Sequence, residues 1–191
     1  MEGNLLNARH QRIALTIGGS DSSAQAGVQA DLRTFAAYDV HGLCAFTALT
    51  IQDHEQVIHT DPVSPALLTQ QIESMLRAFP VRAVKTGMLV SASHVEAVSA
   101  AFTSLSKAPL VVDPVLCATS GARLLDEEGE TMLVERLLPH AAVFTPNLPE
   151  AIQLTSSPPD ASPTELATAC AKLLNDTGIV VLKGGHNDDP E

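Results

Sequence analysis

The sequence predicts a single-domain α/β protein with a mostly parallel central sheet and helices on both faces. Three observations carry that expectation. Short apolar, β-branched runs alternate with longer amphipathic ones along the chain, the rhythm of crossover units. The short runs are apolar almost throughout instead of alternating, as strands covered on both faces require. The 191 residues are 45% hydrophobic, which supplies one sizeable core and falls short of two.

Six runs qualify as strands: residues 13–17, 43–50, 81–85, 110–113, 142–145 and 179–183. Helix signals lie between them. Ser64 can cap, and Pro65 can take the first helical position, of a segment in which Leu67, Leu68, Ile72, Met75, Leu76 and Phe79 recur near the helical period. Ser93 with Glu96, and Ser162 with Glu165, have the capping-box spacing that satisfies orphan N–H groups. Gly178 stands where a left-handed helix C-terminus would want it. Residues 156–163, with three prolines, read as a surface loop, because the strand–helix rhythm continues on both sides. Residues 50–61 break the rhythm. Val57-Ile58 signals a short strand without a crossover helix, so 51–61 is expected to form a small flap beside the sheet or a plain surface hairpin.

The formal net charge of −11 argues against nucleic acid and anionic membrane as partners, since both select basic surfaces. The first twelve residues lack an apolar core segment, and no run approaches the roughly 18 apolar residues of a membrane span, so a cytoplasmic location is expected. Cys44, Cys117 and Cys170 are widely spaced, odd in number and outside any CxxC pattern, which suggests neither a disulfide framework nor a zinc site.

In an open parallel sheet, ligands bind beyond the carboxyl ends of the strands, so the residues following each run are the candidates for chemistry. Gly18-Gly19 and the polar stretch to Gly27 follow the first, Gln52 the second, and Thr86-Gly87-Met88 the third. Asp113-Pro114 ends the fourth, Thr145 to Glu150 follows the fifth, and Lys183-Gly184-Gly185-His186 the sixth. Neither GxxxxGK[ST] nor GxGxxG is present. Asn147 and Glu150 have capping-box spacing, and the same spacing can present an amide and a carboxylate to hydrated Mg²⁺ and phosphates. Asp113 either begins a turn or faces Glu150 as a second metal partner. Lys183 either snorkels to solvent or points at an anion.

In order along the chain, GGSDSSAQAGVQADLRTF, TALTIQD, AVKTGML, VVDPVLCATSG, TPNLPEA and VLKGGH resemble the hydroxymethylpyrimidine/phosphomethylpyrimidine kinases of thiamine biosynthesis. The resemblance implies a ribokinase-like three-layer sandwich and ATP-dependent, Mg²⁺-assisted phosphorylation of 4-amino-5-hydroxymethyl-2-methylpyrimidine and then of its monophosphate. It implies that Gly19, the backbone at Ala26, Asp31, Gln52, Met88 and Val115 surround the pyrimidine. Asn147 and Lys183 would serve the ATP phosphates, with Asp113 and Glu150 on the metal. A homodimer is also implied. Pyridoxal-type kinases share part of the pattern, and a catalytically silent pyrimidine-binding fragment is the other alternative. Two departures stand out. Ala24-Gln25 replaces the usual Gly-Gly, which strains the loop if either residue needs a positive φ. The family also continues beyond Glu191 through a glycine-rich turn, so the chain is expected to be C-terminally truncated and to lack that anion-hole segment.

Overall fold

A computed structural model describes residues 12–53, 56–118 and 120–184. His186 therefore lies outside the described residues. One sheet contains β1 (Arg12–Ser20), β2 (Val40–Gln52), β3 (Val57–Pro62), β4 (Ala83–Thr86), β5 (Leu110–Val112), β6 (Val143–Phe144) and β7 (Ile179–Val180). Their spatial order is β3-β2-β1-β4-β5-β6-β7, and every pairing is parallel except that of β3 with β2. The helices are α1 (Gly27–Ala37), α2 (Pro65–Ala78), α3 (Ala92–Leu105), α4 (Glu127–Met132), α5 (Leu148–Thr155) and α6 (Pro163–Leu173).

All six expected strands are present, with ends displaced by one to a few residues. The short ones understate their ladders: Asp113 N–H still donates to Thr86 O, Thr145 N–H to Val112 O, and Val181 N–H to Phe144 O. The run at 81 begins late because Val81 N–H turns back to Phe79 O at the end of α2. The break in the rhythm at 50–61 is a seventh strand, β3, which returns antiparallel along β2 as the sheet edge.

Registered neighbours in a parallel sheet share a face, and faces alternate along each strand. Leu15, Val84, Leu110, Val112 and Phe144 belong to the buried face. They meet a layer in which α2 touches α3, α3 touches α4, Gln153 of α5 bonds Glu130 of α4, and α5 touches α6. The opposite face presents the row Thr16, Lys85, Val111, Val143 and Ile179. Helix α1 covers the start of this row, where Asp31 meets Thr16 and Lys85. Beyond it the row opens to solvent, and Ile179 is 63% exposed and Val181 48%.

Two local expectations need correction. Ser93 and Glu96 form no capping box, because α3 begins at Ala92 with Ser91 in the cap position. The Ser91 hydroxyl is held by the buried His94 ring, 2.7 Å from Nδ1, and the Ala92 N–H is capped from outside by Asp126 at 3.2 Å. Gly178 is not the left-handed residue after α6; Asn175 and Asp176 are, at φ 51° and 56°. A glycine is needed at 178 for space, since a Cβ there would lie 2.7 Å from Ala141 O. The Ser64 cap and the Ser162–Glu165 capping box form as expected.

Candidate active site

The loop after β1 is organised by one carboxylate. Buried Asp21 accepts hydrogen bonds from the backbone N–H groups of Ser23, Gln25 and Ala26 at 2.8, 3.0 and 2.7 Å, and from the Ser23 hydroxyl. Burial pushes the Asp21 carboxyl up, but these donors outweigh it and hold it below the ordinary carboxylate range. Ala26 occupies the N-cap position of α1 and has no side-chain cap of its own, so Asp21 does that work from a distance. Ala24 adopts φ 57° whereas Gln25 does not, so the strain anticipated for this pair falls on Ala24 alone. Gly27 is also left-handed, and a Cβ there would sit 2.5 Å from Gly19 O. Position 27 admits no side chain.

The loop is fastened to the β2–β3 hairpin. Ser22 Oγ donates to Gln52 O at 2.9 Å and accepts from Gln52 N–H at 3.1 Å, while Thr50 Oγ1 donates to Ser20 O at 2.8 Å. Both polar groups of the Gln52 backbone are thus occupied by one hydroxyl. A bulge in the β1–β2 register after Gly18 leaves Thr47 to bond Met88 O at 2.7 Å, which holds the β4 loop in place.

Between these loops lies a cleft of about 360 Å³. Gly19, Ala26, Asp31, Gln52, Met88 and Val115 all line it, and Asp113 stands at its rim. Asn147, Glu150 and Lys183 do not line it but form an adjoining cluster. Lys183 Nζ lies 2.7 Å from Asp113 Oδ1, and Thr145 Oγ1 donates to the same oxygen at 3.3 Å. Asn147 and Glu150 form a complete capping box at the start of α5, with both bonds at 2.8 Å. Burial pushes the Glu150 carboxyl up and the charge of Asp113 adds to the rise; the Asn147 and Leu116 N–H groups and the Lys183 ammonium oppose it without cancelling it.

Sequence reasoning singled out neither Asp21 as the loop organiser nor Lys85 as a cleft residue. Lys85 Nζ lies 2.9 and 2.8 Å from the two oxygens of Asp31, whose Oδ2 also accepts from Thr16 Oγ1 at 2.6 Å. The available signal was a lysine inside an apolar strand, with its partner 54 residues away.

Among solved structures, the fold is similar to a phosphomethylpyrimidine kinase from Clostridium difficile 630, with a TM-score of 0.83 at 35% identity over 94% of this chain and 78% of that one. A Bacillus subtilis pyridoxal kinase crystallised with ADP matches with a TM-score of 0.79 at 32% identity over 92% of this chain and 66% of that one. The sheet order, the edge hairpin and the cleft across the strand ends define a ribokinase-like α/β protein. The family model described as phosphomethylpyrimidine kinase matches residues 21–191, and the chain belongs to that family. It is 42% identical over 175 residues to a hydroxymethylpyrimidine/phosphomethylpyrimidine kinase of Synechococcus elongatus, covering 91% of this chain and 65% of that protein. It is 41% identical over 174 residues to the thiamine biosynthesis bifunctional protein ThiED of Geobacter sulfurreducens, covering 90% of this chain and 35% of that protein.

Proposed function

We propose that this chain carries the acceptor site, and part of the phosphoryl-donor site, of a cytoplasmic ATP-dependent kinase acting on 4-amino-5-hydroxymethyl-2-methylpyrimidine and then on its monophosphate. The single observation that carries this reading is the convergence of Gly19, Ala26, Asp31, Gln52, Met88 and Val115 on one cleft. The Gln52 side-chain amide offers a donor and an acceptor to an aminopyrimidine edge, and its backbone is already clamped by Ser22. Met88 and Val115 supply apolar walls.

The rim cluster has the chemistry for a nucleotide's phosphates. Asn147 and Lys183 would engage phosphate oxygens, the lysine by exchanging Asp113 for the anion. Asp113 and Glu150 are the carboxylates placed for Mg²⁺. Each already spends an oxygen on a protein donor, and no group of three ligating side chains occurs among the described residues. That donor set suits an ion that keeps several waters and is held chiefly by phosphates. When bound, Mg²⁺ would neutralise charge on the phosphates; this chain's residues position the acceptor and the nucleotide around it. The half-exposed Leu49, Ile51 and Ile58 of the hairpin are the surface that a homodimer would use.

The test is calorimetric titration of the pyrimidine into the protein and into Gln52→Leu, with turnover on Mg-ATP measured for this chain and for a version extended through any downstream coding sequence. Loss of a buried hydrogen-bonded pair should weaken binding by about 1–3 kcal/mol. Unchanged affinity in Gln52→Leu would remove Gln52 from the site, and absence of binding to the unaltered protein would defeat the reading.

A further inference from the structure

We infer that Lys85, reached through the gap left by Gly87, is the anion-binding group of the cleft, and that it selects the phosphomonoester form of the acceptor over the free alcohol. The inference rests on the acceptor-site reading above and adds to it a residue and a ligand preference.

The cleft is acidic in its lining, and its carboxylates are already engaged. Asp21 is taken up by the loop N–H groups, Asp113 by Lys183, and Asp31 by Thr16 and Lys85. Lys85 is the one cation among the described residues that line the cleft. Its ammonium has three N–H bonds, and its only hydrogen-bond contacts among the described residues are with the two oxygens of Asp31. One donor is therefore left over. The side chain is a quarter exposed, so that donor is reachable from the cleft.

Gly87 supplies the independent observation. Its backbone is not among the left-handed positions, so no conformational demand excludes a side chain. Among the described residues, an added Cβ would meet a single group within 4 Å, Lys85 Nζ, at 3.5 Å. The bare position leaves the ammonium uncovered on the cleft side. A lysine serving solely to clamp α1 to the sheet through Asp31 would need no such opening. An uncovered ammonium with a spare donor is suited to an oxyanion. A neutral hydroxymethyl group gains at most one ordinary hydrogen bond there, whereas a phosphate adds a charge-assisted one. The preference follows from that difference.

The experiment is titration calorimetry of the hydroxymethyl heterocycle and of its monophosphate against the unaltered protein, Lys85→Met, Lys85→Arg and Gly87→Ala. Lys85→Met should lose about tenfold or more in affinity for the monophosphate and less than about threefold for the alcohol. Lys85→Arg should retain the preference. Gly87→Ala leaves the Lys85–Asp31 pair intact, so it keeps the inference testable if Lys85→Met fails to fold. It should weaken monophosphate binding selectively, with an unchanged thermal midpoint. Equal losses for both ligands, or full monophosphate affinity in Gly87→Ala, would overturn the inference and leave the acceptor site standing. Failure of the unaltered protein to bind either ligand would overturn the acceptor-site reading, and this inference with it.

Discussion

Ala24 carries a local strain that its neighbours do not share. At φ 57° it holds a left-handed conformation inside the turn that lines the cleft, although it is neither glycine nor asparagine. A non-glycine residue there costs about 1–2 kcal/mol, whereas glycine costs about 0.5–1 kcal/mol in added unfolded-state entropy. The difference favours glycine. Ala24→Gly is therefore expected to stabilise the protein by up to about 1 kcal/mol, read as a higher urea midpoint with unchanged slope. A lower midpoint would mean that the methyl group makes packing contacts worth more than the strain. Met88 and Gln52 are held by the opposite means: a hydroxyl fixes the backbone of each, Thr47 for one and Ser22 for the other.

At the scale of the element, the loop from Ser20 to α1 is an anion-organised turn, and Asp21 is its counter-charge. Asp21→Asn keeps the shape but loses the charge and an acceptor; hydrogen bonds to charged groups are worth about 1.5–3 kcal/mol, so a loss of that order is expected. The pH dependence has a definite sign. The folded-state pKa of Asp21 is lowered, so its contribution is fully present above the unfolded value of about 3.9 and disappears as pH falls through the lower folded value. The gap in unfolding free energy between the unaltered protein and Asp21→Asn should be wide near neutrality and close below that range. A gap independent of pH would assign the effect to packing. Glu150 runs the other way. Its raised pKa makes the folded state bind a proton more tightly, so its contribution falls as pH rises through the window above the ordinary glutamate value. The two proteins must be compared at each pH.

For the whole molecule, the decisive feature is the unequal covering of the sheet. Helices α2 to α6 bury one face, while the other is covered by α1 over β2 and β1 and exposes Ile179 and Val181 at the far edge. An exposed apolar edge strand favours association. Ile179→Lys combined with Val181→Glu should lower both apolar-dye fluorescence and self-association of the 191-residue chain, with stability changed by less than about 0.5 kcal/mol. Undiminished dye binding would move the exposed surface to the hairpin residues Leu49, Ile51 and Ile58. The chain spans 65% of the length of its Synechococcus relative, so the comparison with a longer version is informative at this scale too.

The sequence by itself determined the parallel α/β class, six of seven strands, and the Ser64, Asn147 and Ser162 caps. Each depends on local information: apolar runs and the reach of a cap. The group of cleft residues, Asp31 and Val115 among them, came from the resemblance to the kinase family. The sequence did not determine β3 as a sheet edge, because six residues of weak strand character acquire that role only by pairing with β2. Nor did it reveal that Ser91 gives up its capping role to the buried His94, whose other ring nitrogen is held at Val63 O, or that Gly178 is kept for Ala141 O; Val63 and Ala141 are both far away in the chain. Lys85 is the sharpest instance. Its charge is written in the sequence, but its pairing with Asp31, its spare donor and the gap at Gly87 exist only once α1 is laid across the sheet. Tertiary structure decided these because electrostatic and steric partners are chosen by distance in space, and a chain that folds through crossovers brings together residues its order keeps apart.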